Sequence, residues 1–310
     1  MMRCLILGGN GFIGRHVVCA LRNDGTDALV ADLYANTEAP YTYADLLDPR
    51  SLMKATSNID VVVHLAWATV PKSSTDDPIK DVATNIIGSL NLFRACAAQN
   101  VKRVVFCSTG GAIYGIPQVL PITEDHPIEP LCPYGITKAA VEMYLKLYSR
   151  LHGIQYVILR PANAYGEGQN SAKGQGVIAA CLSSILHKKP FIVWGDGTVV
   201  RDYVYVTDIA RAISLAVKFE GANAVCNIGS GRGTSVNEVI SLISSVTGVA
   251  VDTHYVQGRP IDAPSNILDA SRARSLLSWQ PLIVLENGLQ QQWDHLINDM
   301  SRSSMTGGAR

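Results

Sequence analysis

The first half of the chain alternates short apolar runs with segments of helical periodicity, and this alternation constrains the fold more than any other feature. The apolar runs are nearly continuous rather than interleaved with polar residues, which is typical of parallel strands buried on both faces. The runs are "RCLILGG", "ALVADL", "DVVVHLA", "VKRVVFCS" and "IQYVILRP", and the helical segments include Gly14–Arg22, Ile79–Asn100 and Pro133–His152. The pattern predicts an α/β fold with a doubly wound parallel sheet.

After about Pro161 the rhythm loosens, and glycine-rich loops such as "YGEGQNSAKGQG" and "WGDGTVVRDY" appear. We therefore predict a first domain over residues 1–165, to which the chain returns near 202–229. A smaller, discontinuous α/β region, made of 166–201 and 230–300, is predicted to bind substrate. The polar, small-residue segment 301–310 is predicted to be a disordered tail.

Composition excludes some classes of partner. The 26 Lys and Arg residues balance the 26 Asp and Glu residues, so no basic surface and no nucleic-acid partner are expected. No apolar stretch approaches the roughly 18–20 residues that a membrane helix needs, so no membrane partner is expected. We predict no metal site. The cysteines form no C-x-x-C motif, which favours reduced thiols in a cytoplasmic protein: Cys4, Cys19, Cys96, Cys107, Cys132, Cys181 and Cys226.

A glycine-rich turn, "GGNGFIG", follows the first predicted strand and opens the first helix. Gly8, Gly11 and Gly14 have the spacing at which one glycine makes a tight turn, one lets the backbone approach a pyrophosphate, and one lets helix and strand pack closely. Phe12 and Ile13 of this turn are expected to lie at the cofactor, and the helix that follows presents its first N–H groups to the phosphates. Glycines also serve ordinary turns, but this strand–turn–helix context favours a dinucleotide site.

Acidic and apolar residues at the following strand ends extend this site. Asp32 ends the second strand, where a carboxylate can accept both ribose hydroxyls of an adenosine and would repel a 2′-phosphate. The predicted cofactor is therefore NAD, and the first domain is predicted to be an NAD-binding Rossmann-type domain. Asp45 and Leu46 can meet the edge and face of the adenine, although a helix N-cap is an open alternative for Asp45. The backbone of Leu65 and Ala66 is expected to pass beneath the cofactor.

The segment "PYGITK" places Tyr134 and Lys138 four residues apart, on one face of a predicted helix. A tyrosine with an ordinary pKa near 10 is a poor base at neutral pH. A nearby ammonium and the positive ring of NAD⁺ would favour the phenolate and lower that pKa. The same spacing occurs by chance in amphipathic helices. Together with the dinucleotide loop and the hydroxyls of Ser108 and Thr109, it indicates a tyrosine base.

In the order of these motifs the chain resembles the extended short-chain dehydrogenase/reductase family, and within it the UDP-glucose (UDP-galactose) 4-epimerases. The likeness rests on "GGNGFIG", "HLA", Asn85, "STGGAIYG", "YGITK", "RPANAYGEGQ", "WGDGTVVRDYVYVTDIARA" and "GRPIDAP". It implies an NAD-dependent isomerase that interconverts UDP-glucose and UDP-galactose through a transient 4-keto intermediate. It also implies a homodimer, because such proteins often pair through the helix that carries the tyrosine and lysine.

The loop "STGGAIYG" distinguishes reactions that share this scaffold. In family members that eliminate water, an Asp-Glu pair follows the strand-end threonine, and related decarboxylases carry a glutamate in this loop. Gly110 and Gly111 occupy these positions here. Glycine cannot protonate a leaving hydroxide, so elimination of water is disfavoured. The reaction that remains is removal of hydride from C4 and its return to the other face, which is 4-epimerisation. A serine that holds the reacting C4 oxygen in other members aligns with Gly110. The resemblance therefore assigns that role to Thr109, with Ser108 as the second choice.

The resemblance implies further contacts. Lys138 would hold the nicotinamide ribose. Arginines suit a pyrophosphate, although a surface salt bridge is the alternative for Arg201 and Arg259, and a core position is the alternative for Trp194. Asn266 would border the C2 substituent of the sugar, which implies activity on UDP-GlcNAc and UDP-GalNAc as well. The implied cofactor contacts are Asn85, Ser108, Tyr134, Lys138 and Pro161, and the implied substrate contacts are Asn163, Ile192, Trp194, Arg201, Arg259, Asp262 and Asn266.

Two other functions stay open at this level. A nucleotide-sugar dehydratase or net oxidoreductase of the same family would accumulate a 4-keto product or NADH, whereas an epimerase closes its redox balance. A non-catalytic NAD-sensing regulator is the alternative from another class. The intact Tyr134, Lys138 and Thr109 argue against the regulator.

Overall fold

The computed structural model describes residues 2–35, 40–170, 176–258 and 263–306. Its strands are β1 (Arg3–Leu7), β2 (Asp27–Asp32), β3 (Tyr41–Tyr43), β4 (Val61–His64), β5 (Arg103–Cys107), β6 (Gln155–Pro161), β7 (Asn163–Tyr165), β8 (Phe191–Trp194), β9 (Val200–Tyr205), β10 (Ala224–Ile228), β11 (Gly233–Ser235), β12 (Thr253–Val256) and β13 (Ser265–Asn266). Its helices are α1 (Phe12–Asn23), α2 (Pro49–Ala55), α3 (Pro71–Asp76), α4 (Pro78–Asp81), a π-helical turn (Val82–Ile87), α5 (Gly88–Ala98), α6 (Pro133–His152), α7 (Val177–Leu186), α8 (Val206–Lys218), α9 (Val236–Thr247), α10 (Ser271–Leu277) and α11 (Leu285–Thr306).

The central sheet has seven strands in the order β10-β6-β5-β4-β1-β2-β3. Every neighbouring pair in it is parallel. The strand order reverses between β1 and β4, since β1 leads outward to β2 while β4 leads outward to β5. Ligands of such sheets bind at this reversal, outside the carboxyl ends of the strands. The predicted doubly wound, Rossmann-type parallel sheet is confirmed.

Helices cover both faces of this sheet, because successive strand residues point to opposite sides. On β1, Ile6 joins an apolar cluster that includes Val17 of α1 and Ile213 of α8. Leu5 joins a second cluster on the other face, with Phe93 of α5 and residues of α6. The near-continuous apolar strands are thus explained by burial on both faces.

A second region packs beside the carboxyl ends of the central strands. It contains a sheet of β7, β9, β11 and β13 and a separate β8–β12 pair. A third apolar cluster joins these strands to α7, α9 and α11, and partly buried Phe12 and Ile13 of the glycine loop pack against it. The chain returns to the central sheet through α8 and β10, within the segment where the sequence predicts a return. The exact domain boundaries stay a prediction.

Two local predictions differ from the structure. The helix predicted over Ile79–Asn100 is divided into α4, the π-helical turn and α5. The tail predicted to be disordered from residue 301 continues α11 as far as Thr306, and residues 307–310 lie outside the described residues. The helix predicted over Pro133–His152 is confirmed as α6. In the part of the chain that the structure describes, no helix has the length and apolarity needed to cross a bilayer.

Candidate active site

A cleft of about 630 Å³ lies between the carboxyl ends of the central strands and the second region. Among the described residues that line it, the charged side chains are Arg15, Lys138 and Arg201, and none is an aspartate, a glutamate or a histidine. Such a cleft suits an anionic ligand. A smaller cavity of about 340 Å³ beside Trp279 includes none of the predicted site residues. The predicted residues that line the cleft are Gly8, Gly11, Phe12, Ile13, Gly14, Leu65, Ser108, Thr109, Tyr134, Lys138, Pro161, Asn163, Ile192, Trp194 and Arg201.

The glycine loop closes one end of the cleft. Gly8 has a φ of +87°, and a Cβ there would lie 2.6 Å from the amide nitrogen of Ala66, so a larger residue does not fit. A Cβ on Gly14 would meet the carbonyl oxygen of Gly8, so α1 starts directly against the turn. No side chain caps α1 at Gly11. The amides of its first turn are therefore available to a phosphate.

Asp32 lies at the carboxyl end of β2, next to this loop. Its carboxylate accepts hydrogen bonds from the amides of Asn10 at 3.0 Å and Leu33 at 2.8 Å. Each carboxylate oxygen keeps a further lone pair, so the half-buried group can also accept ribose hydroxyls. Leu65 and Ala66 each donate a backbone hydrogen bond of 2.9 Å to Leu7, which fixes the end of β4 against β1.

Asp45 and Leu46 do not line the cleft, and the N-cap interpretation of Asp45 is wrong. The N-cap of α2 is Asp48, whose carboxylate accepts from the first turn of that helix. Asp45 accepts instead from the amide of Leu47, at 2.8 Å, within its own turn. Leu46 packs on Gly88, where a Cβ would lie 2.7 Å from the Leu46 Cβ. Contact between these residues and an adenine stays a prediction.

Asn85 is fully buried in a polar network and does not line the cleft. Its side-chain oxygen accepts from the amide of Ala68 at 2.9 Å. Its side-chain nitrogen donates to Thr69 at 2.9 Å and to Asp81 at 2.7 Å. Asn85 lies in the π-helical turn, a distortion that frequently marks functional sites. Asn85 therefore holds the loop after β4, and its predicted contact with the cofactor stays a prediction.

Tyr134 and Lys138 lie one helical turn apart on α6, which begins with Pro133 after an extended Cys132. The Lys138 ammonium donates to the carbonyl oxygen of Cys107 at 2.8 Å. The same ammonium lies 3.7 Å from the centroid of the Trp67 ring and 5.8 Å from that of Tyr134. The Tyr134 and Trp67 rings meet edge-on, with centroids 6.2 Å apart. The predicted pair is thus brought together in the cleft.

Burial dominates the acid–base properties of this pair. It raises the pKa of the Tyr134 phenol above its ordinary value, and the nearby Cys107, Cys132 and Asp81 raise that pKa further. Burial also lowers the pKa of Lys138 to about 8. In the protein without the cofactor, desolvation of the phenolate is thus the dominant effect. The prediction that the Lys138 ammonium and the positive ring of NAD⁺ together lower the pKa of Tyr134 stays a prediction.

The hydroxyls of Ser108 and Thr109 follow β5 at the edge of the cleft, and the two residues are only 3 % and 9 % exposed. Within the described protein, Ser108 Oγ has no hydrogen-bond partner. An unsatisfied buried hydroxyl costs about 1–3 kcal/mol, so a ligand group that pairs with it would gain this energy. The arrangement leaves the choice between Thr109 and Ser108 as the proton relay open.

The two glycines after these hydroxyls have different surroundings. A Cβ on Gly110 would lie 2.9 Å from the Arg160 carbonyl oxygen and would also meet the Leu268 side chain. A Cβ on Gly111 would lie 3.5 Å from Asn163 Oδ1, an ordinary contact. A side chain is therefore excluded by packing at the first position, whereas the second borders the cleft.

The predicted substrate contacts Ile192 and Trp194 lie on β8. Phe191 and Val193 point into the third cluster, while Ile192 and Trp194 point outward and are 44 % and 50 % exposed. This alternation follows from the two-residue period of a strand. The core alternative for Trp194 is therefore wrong, and its ring can pack against a ligand.

Three other predicted substrate residues fall at different places. Arg201 lies on β9 at the cleft and donates to the carbonyl oxygens of Val200 and Ala263 at 2.9 and 2.7 Å. Asn163, on β7, donates to the Asp202 carbonyl oxygen at 3.1 Å. Asn266 is buried, does not line the cleft, and donates to the Gly110 carbonyl oxygen at 3.1 Å. Its side chain lies behind the Gly110 loop, and its predicted place beside the sugar stays a prediction. Arg259 and Asp262 lie outside the described residues.

Among the cleft residues that sequence reasoning missed, three share one feature. Trp67, Gln169 and Tyr203 all line the cleft, and each has a buried polar atom without a hydrogen-bond partner within the described protein. The unpartnered atoms are Trp67 Nε1, Gln169 Oε1 and the Tyr203 hydroxyl oxygen. The sequence offered two signals: Trp67 directly follows "HLA", and Tyr203 lies two residues after Arg201. With the glycine cradle, Asp32 and Ser108 Oγ, these atoms fit a polar, dinucleotide-sized ligand.

Known proteins share this architecture. The model of the NAD dependent epimerase/dehydratase family matches residues 4–229. A putative UDP-glucose 4-epimerase of Methanocaldococcus jannaschii is 36 % identical over 310 residues, covering 97 % of this chain and 99 % of that protein. The structure of the Thermotoga maritima UDP-glucose 4-epimerase with UDP-glucose has a TM-score of 0.92 and 37 % identity, covering 96 % of this chain and 100 % of that one. The Thermus thermophilus UDP-glucose 4-epimerase in complex with NAD has a TM-score of 0.89 and 33 % identity, covering 96 % and 99 %.

Proposed function

Since this chain belongs to the NAD dependent epimerase/dehydratase family, we propose that it is an NAD-dependent UDP-hexose 4-epimerase that interconverts UDP-glucose and UDP-galactose. The expected membership of the extended short-chain dehydrogenase/reductase family is confirmed by the family match and by the relatives. The epimerase is an isomerase, because the sugar leaves with the same atoms and the opposite configuration at C4.

One observation carries the choice of reaction. The Tyr134–Lys138 pair faces a cleft in which no described lining residue is a carboxylate or a histidine. Elimination of water from a 4-keto sugar needs a group that protonates the leaving hydroxide. Gly110 has no room for such a side chain, and Gly111 supplies none. Return of hydrogen to the opposite face of C4 is therefore the step that this cleft supports.

The chain's own residues handle the proton. Tyr134 takes the proton of the C4 hydroxyl, through the hydroxyl of Thr109 or Ser108, and returns it after the sugar has turned its other face. Lys138 holds a positive charge beside this path and has donor capacity left for a ribose hydroxyl. When bound, NAD supplies the acceptor for the C4 hydrogen with its electron pair, and its positive ring opposes the effect of burial on the pKa of Tyr134.

The anionic part of the substrate has its own partners. Among the described lining residues, Arg201 is the cation on the second-region side of the cleft, and an arginine suits a pyrophosphate. The exposed face of Trp194 can stack on a base, and the β8 backbone can pair with its edge. The N-acetylated pair, UDP-GlcNAc and UDP-GalNAc, is the second pair of substrates. Its support is the likeness to the structure of the UDP-N-acetylglucosamine 4-epimerase of Methanobrevibacter ruminantium, which has a TM-score of 0.90 and 31 % identity.

A homodimer in the cytoplasm is the proposed state of the molecule. Ile136, Met143, Leu147 and Leu151 are exposed and lie along one side of α6. Such a stripe is buried when two copies pack as a helix bundle. All seven cysteines are free, which fits a reducing compartment. Sedimentation of the protein, and of a Met143→Glu variant expected to be monomeric, tests the pairing.

Incubation of the full chain with UDP-galactose, UDP-GalNAc and UDP-galacturonate, followed by identification of the products, tests the activity. The expected result is UDP-glucose from UDP-galactose, no net NADH, and NAD released when the protein is denatured. A dehydrated or net-oxidised sugar, or a protein that carries no dinucleotide, would contradict the proposal.

Single substitutions then assign the relay. Thr109→Val is expected to reduce kcat by about 10²-fold or more if Thr109 carries the proton. A near-native kcat in that variant, with a crippled Ser108→Ala variant, would move the relay to Ser108.

A further inference from the structure

The indole of Trp67 lies closer to the Lys138 ammonium than any other aromatic ring in the described structure. The ammonium is 3.7 Å from the centroid of Trp67, compared with 4.9 Å from Phe106 and 5.8 Å from Tyr134. A cation within about 6 Å of a tryptophan face is attracted by the ring, and tryptophan is the strongest of the three aromatic partners.

No carboxylate is available to neutralise this ammonium directly. Lys138 is 4 % exposed, and within the described residues it forms no salt bridge with the two buried acids nearest to it in α6 and α4. Glu142 pairs with Arg160 at 2.6 Å. Asp81 accepts hydrogen bonds from Asn85 at 2.7 Å and from Thr137 at 2.9 Å. Besides one bond to the Cys107 carbonyl oxygen, the indole face is therefore the group that offsets the loss of hydration.

The position of Trp67 is itself fixed. The next residue, Ala68, donates its amide to Asn85 at 2.9 Å, so the buried network after β4 holds the loop. The Trp67 ring also packs on Phe106, with centroids 6.0 Å apart, and edge-on to Tyr134 at 6.2 Å. A ring that is already ordered loses no side-chain entropy when it contacts the ammonium. Its net attraction for Lys138 is therefore larger than that of a mobile ring.

We propose that Trp67 is a positioning residue for the reaction: its indole face holds Lys138 as an ammonium, in place between Tyr134 and the cofactor ribose. This inference rests on the proposed function. Trp67 acts through Lys138, so its loss should slow the chemical step and leave substrate affinity nearly unchanged.

The charge state of Lys138 distinguishes a positioning role of Trp67 from a purely structural role, in which the indole would only fill space. The titratable groups that face Lys138 are Cys107 on β5, Glu142 and Tyr134 on α6, Asp81 on α4 and His64 on β4. Burial lowers the pKa of Lys138 to about 8. Removal of the indole face would lower that pKa further, so the alkaline limb of the kcat profile would move to lower pH.

Three variants of the full chain test the proposal: Trp67→Leu, Trp67→Phe and, as a packing control, Phe93→Leu. Phe93 belongs to the apolar cluster against which Trp67 packs, and its ring meets His64 edge-on, whereas the rings around the Lys138 ammonium are those of Trp67, Phe106 and Tyr134. Trp67→Leu is expected to lower kcat about tenfold at neutral pH, with KM for the UDP-sugar within about twofold of the parent. Trp67→Phe should recover most of the rate, while Phe93→Leu should lower only thermal stability.

A direct titration of the Lys138 side chain by NMR, assigned with a Lys138→Met spectrum, gives a readout that needs no turnover. The pKa of Lys138 should fall by about one pH unit in Trp67→Leu. An unchanged pKa, or a Trp67→Leu variant that matches Phe93→Leu, overturns the inference. A parent without epimerase activity overturns the proposed function instead, and the titration still decides the role of Trp67.

Discussion

The two sides of the cleft are built in different ways. On the central-sheet side, Ser108 and Lys138 are 3 % and 4 % exposed, and their neighbours are backbone groups and packed rings. On the second-region side, Ile192 and Trp194 are 44 % and 50 % exposed on a two-stranded sheet. The side chains on the central-sheet side are therefore fixed by surrounding groups, whereas Ile192 and Trp194 on the second-region side face the open cleft.

This difference indicates a division of labour. Groups that must act on one atom need a fixed position, which burial and hydrogen bonds supply. A surface that holds the rest of a large ligand needs area, and exposed rings provide it. Substitutions on the central-sheet side should therefore change kcat, and substitutions on the second-region side should change KM.

The largest expected effect is that of Tyr134→Phe, which removes the base on the central-sheet side. We expect kcat to fall by about 10²–10⁴-fold, because no other described group in the cleft can take its place. Bound NAD and thermal stability should stay near the parent values. Tyr148→Phe, on the same helix but away from the cleft, is the matched control. A Tyr134→Phe variant with near-parent kcat would contradict the assignment of the chemical step to the central-sheet side.

Gly110→Ala tests the packing between the two sides. The added methyl would meet Leu268 and the Arg160 carbonyl oxygen, so the free energy of unfolding should fall by about 3 kcal/mol. Gly111→Ala, whose methyl has ordinary contacts, should change it by less than about 1 kcal/mol. Urea unfolding of both variants gives the comparison. Equal stabilities would mean that Gly110 is not confined by its neighbours.

Lys138→Met tests the cost of placing a charge on the buried side. The folded-state pKa of Lys138, about 8, lies below its ordinary 10.5. Below pH 8 the ammonium therefore destabilises the fold, and the cost decreases between pH 8 and 10.5, where the unfolded chain still binds the proton.

We expect Lys138→Met to raise the free energy of unfolding by about 2 kcal/mol near pH 7, after the loss of one hydrogen bond, and to abolish activity. The gain should shrink as the pH approaches about 10. Urea unfolding at both pH values measures it, with the exposed Lys102→Met as control. A destabilised Lys138→Met variant near pH 7 would contradict the sign of this effect.

The smallest expected effect is on the open side. Trp194→Ala should raise KM for a UDP-sugar about tenfold and leave kcat nearly unchanged, because the ring adds only stacking area. Tyr255→Ala removes a half-exposed aromatic from the paired strand β12, outside the cleft, and should leave KM at the parent value. A change in kcat rather than KM for Trp194→Ala would show that both sides share in the chemistry.

Much of the central-sheet side could be predicted from the sequence. The glycines of the first turn and the Tyr134–Lys138 spacing each lie within a few residues of chain, so local geometry alone relates their members. The boundaries of α6 were predicted for the same reason, since Pro133 begins the helix and Gly153 ends it. Strand β3 was missed because "YTY" is too short to show a period.

Other assignments depended on segments far apart in the chain. Asn85 was predicted to touch the cofactor, and the structure adds that its side chain bonds to Ala68, Thr69 and Asp81. Asn266 was predicted to face the sugar, and the structure adds that it donates to the Gly110 carbonyl oxygen. Neither outcome can be predicted from spacing, because a side chain's partners are set by packing between distant elements.

The sequence by itself determined the fold class, the dinucleotide loop and the pairing of a tyrosine with a lysine, because each depends on apolar period or short-range spacing. Only the tertiary structure decided that the Ser108 hydroxyl lacks a partner among the described residues, that Gly110 has no room for a side chain, and that the Trp67 ring faces the lysine. These properties depend on burial and contact across the cleft, and burial is fixed only when all the elements pack together.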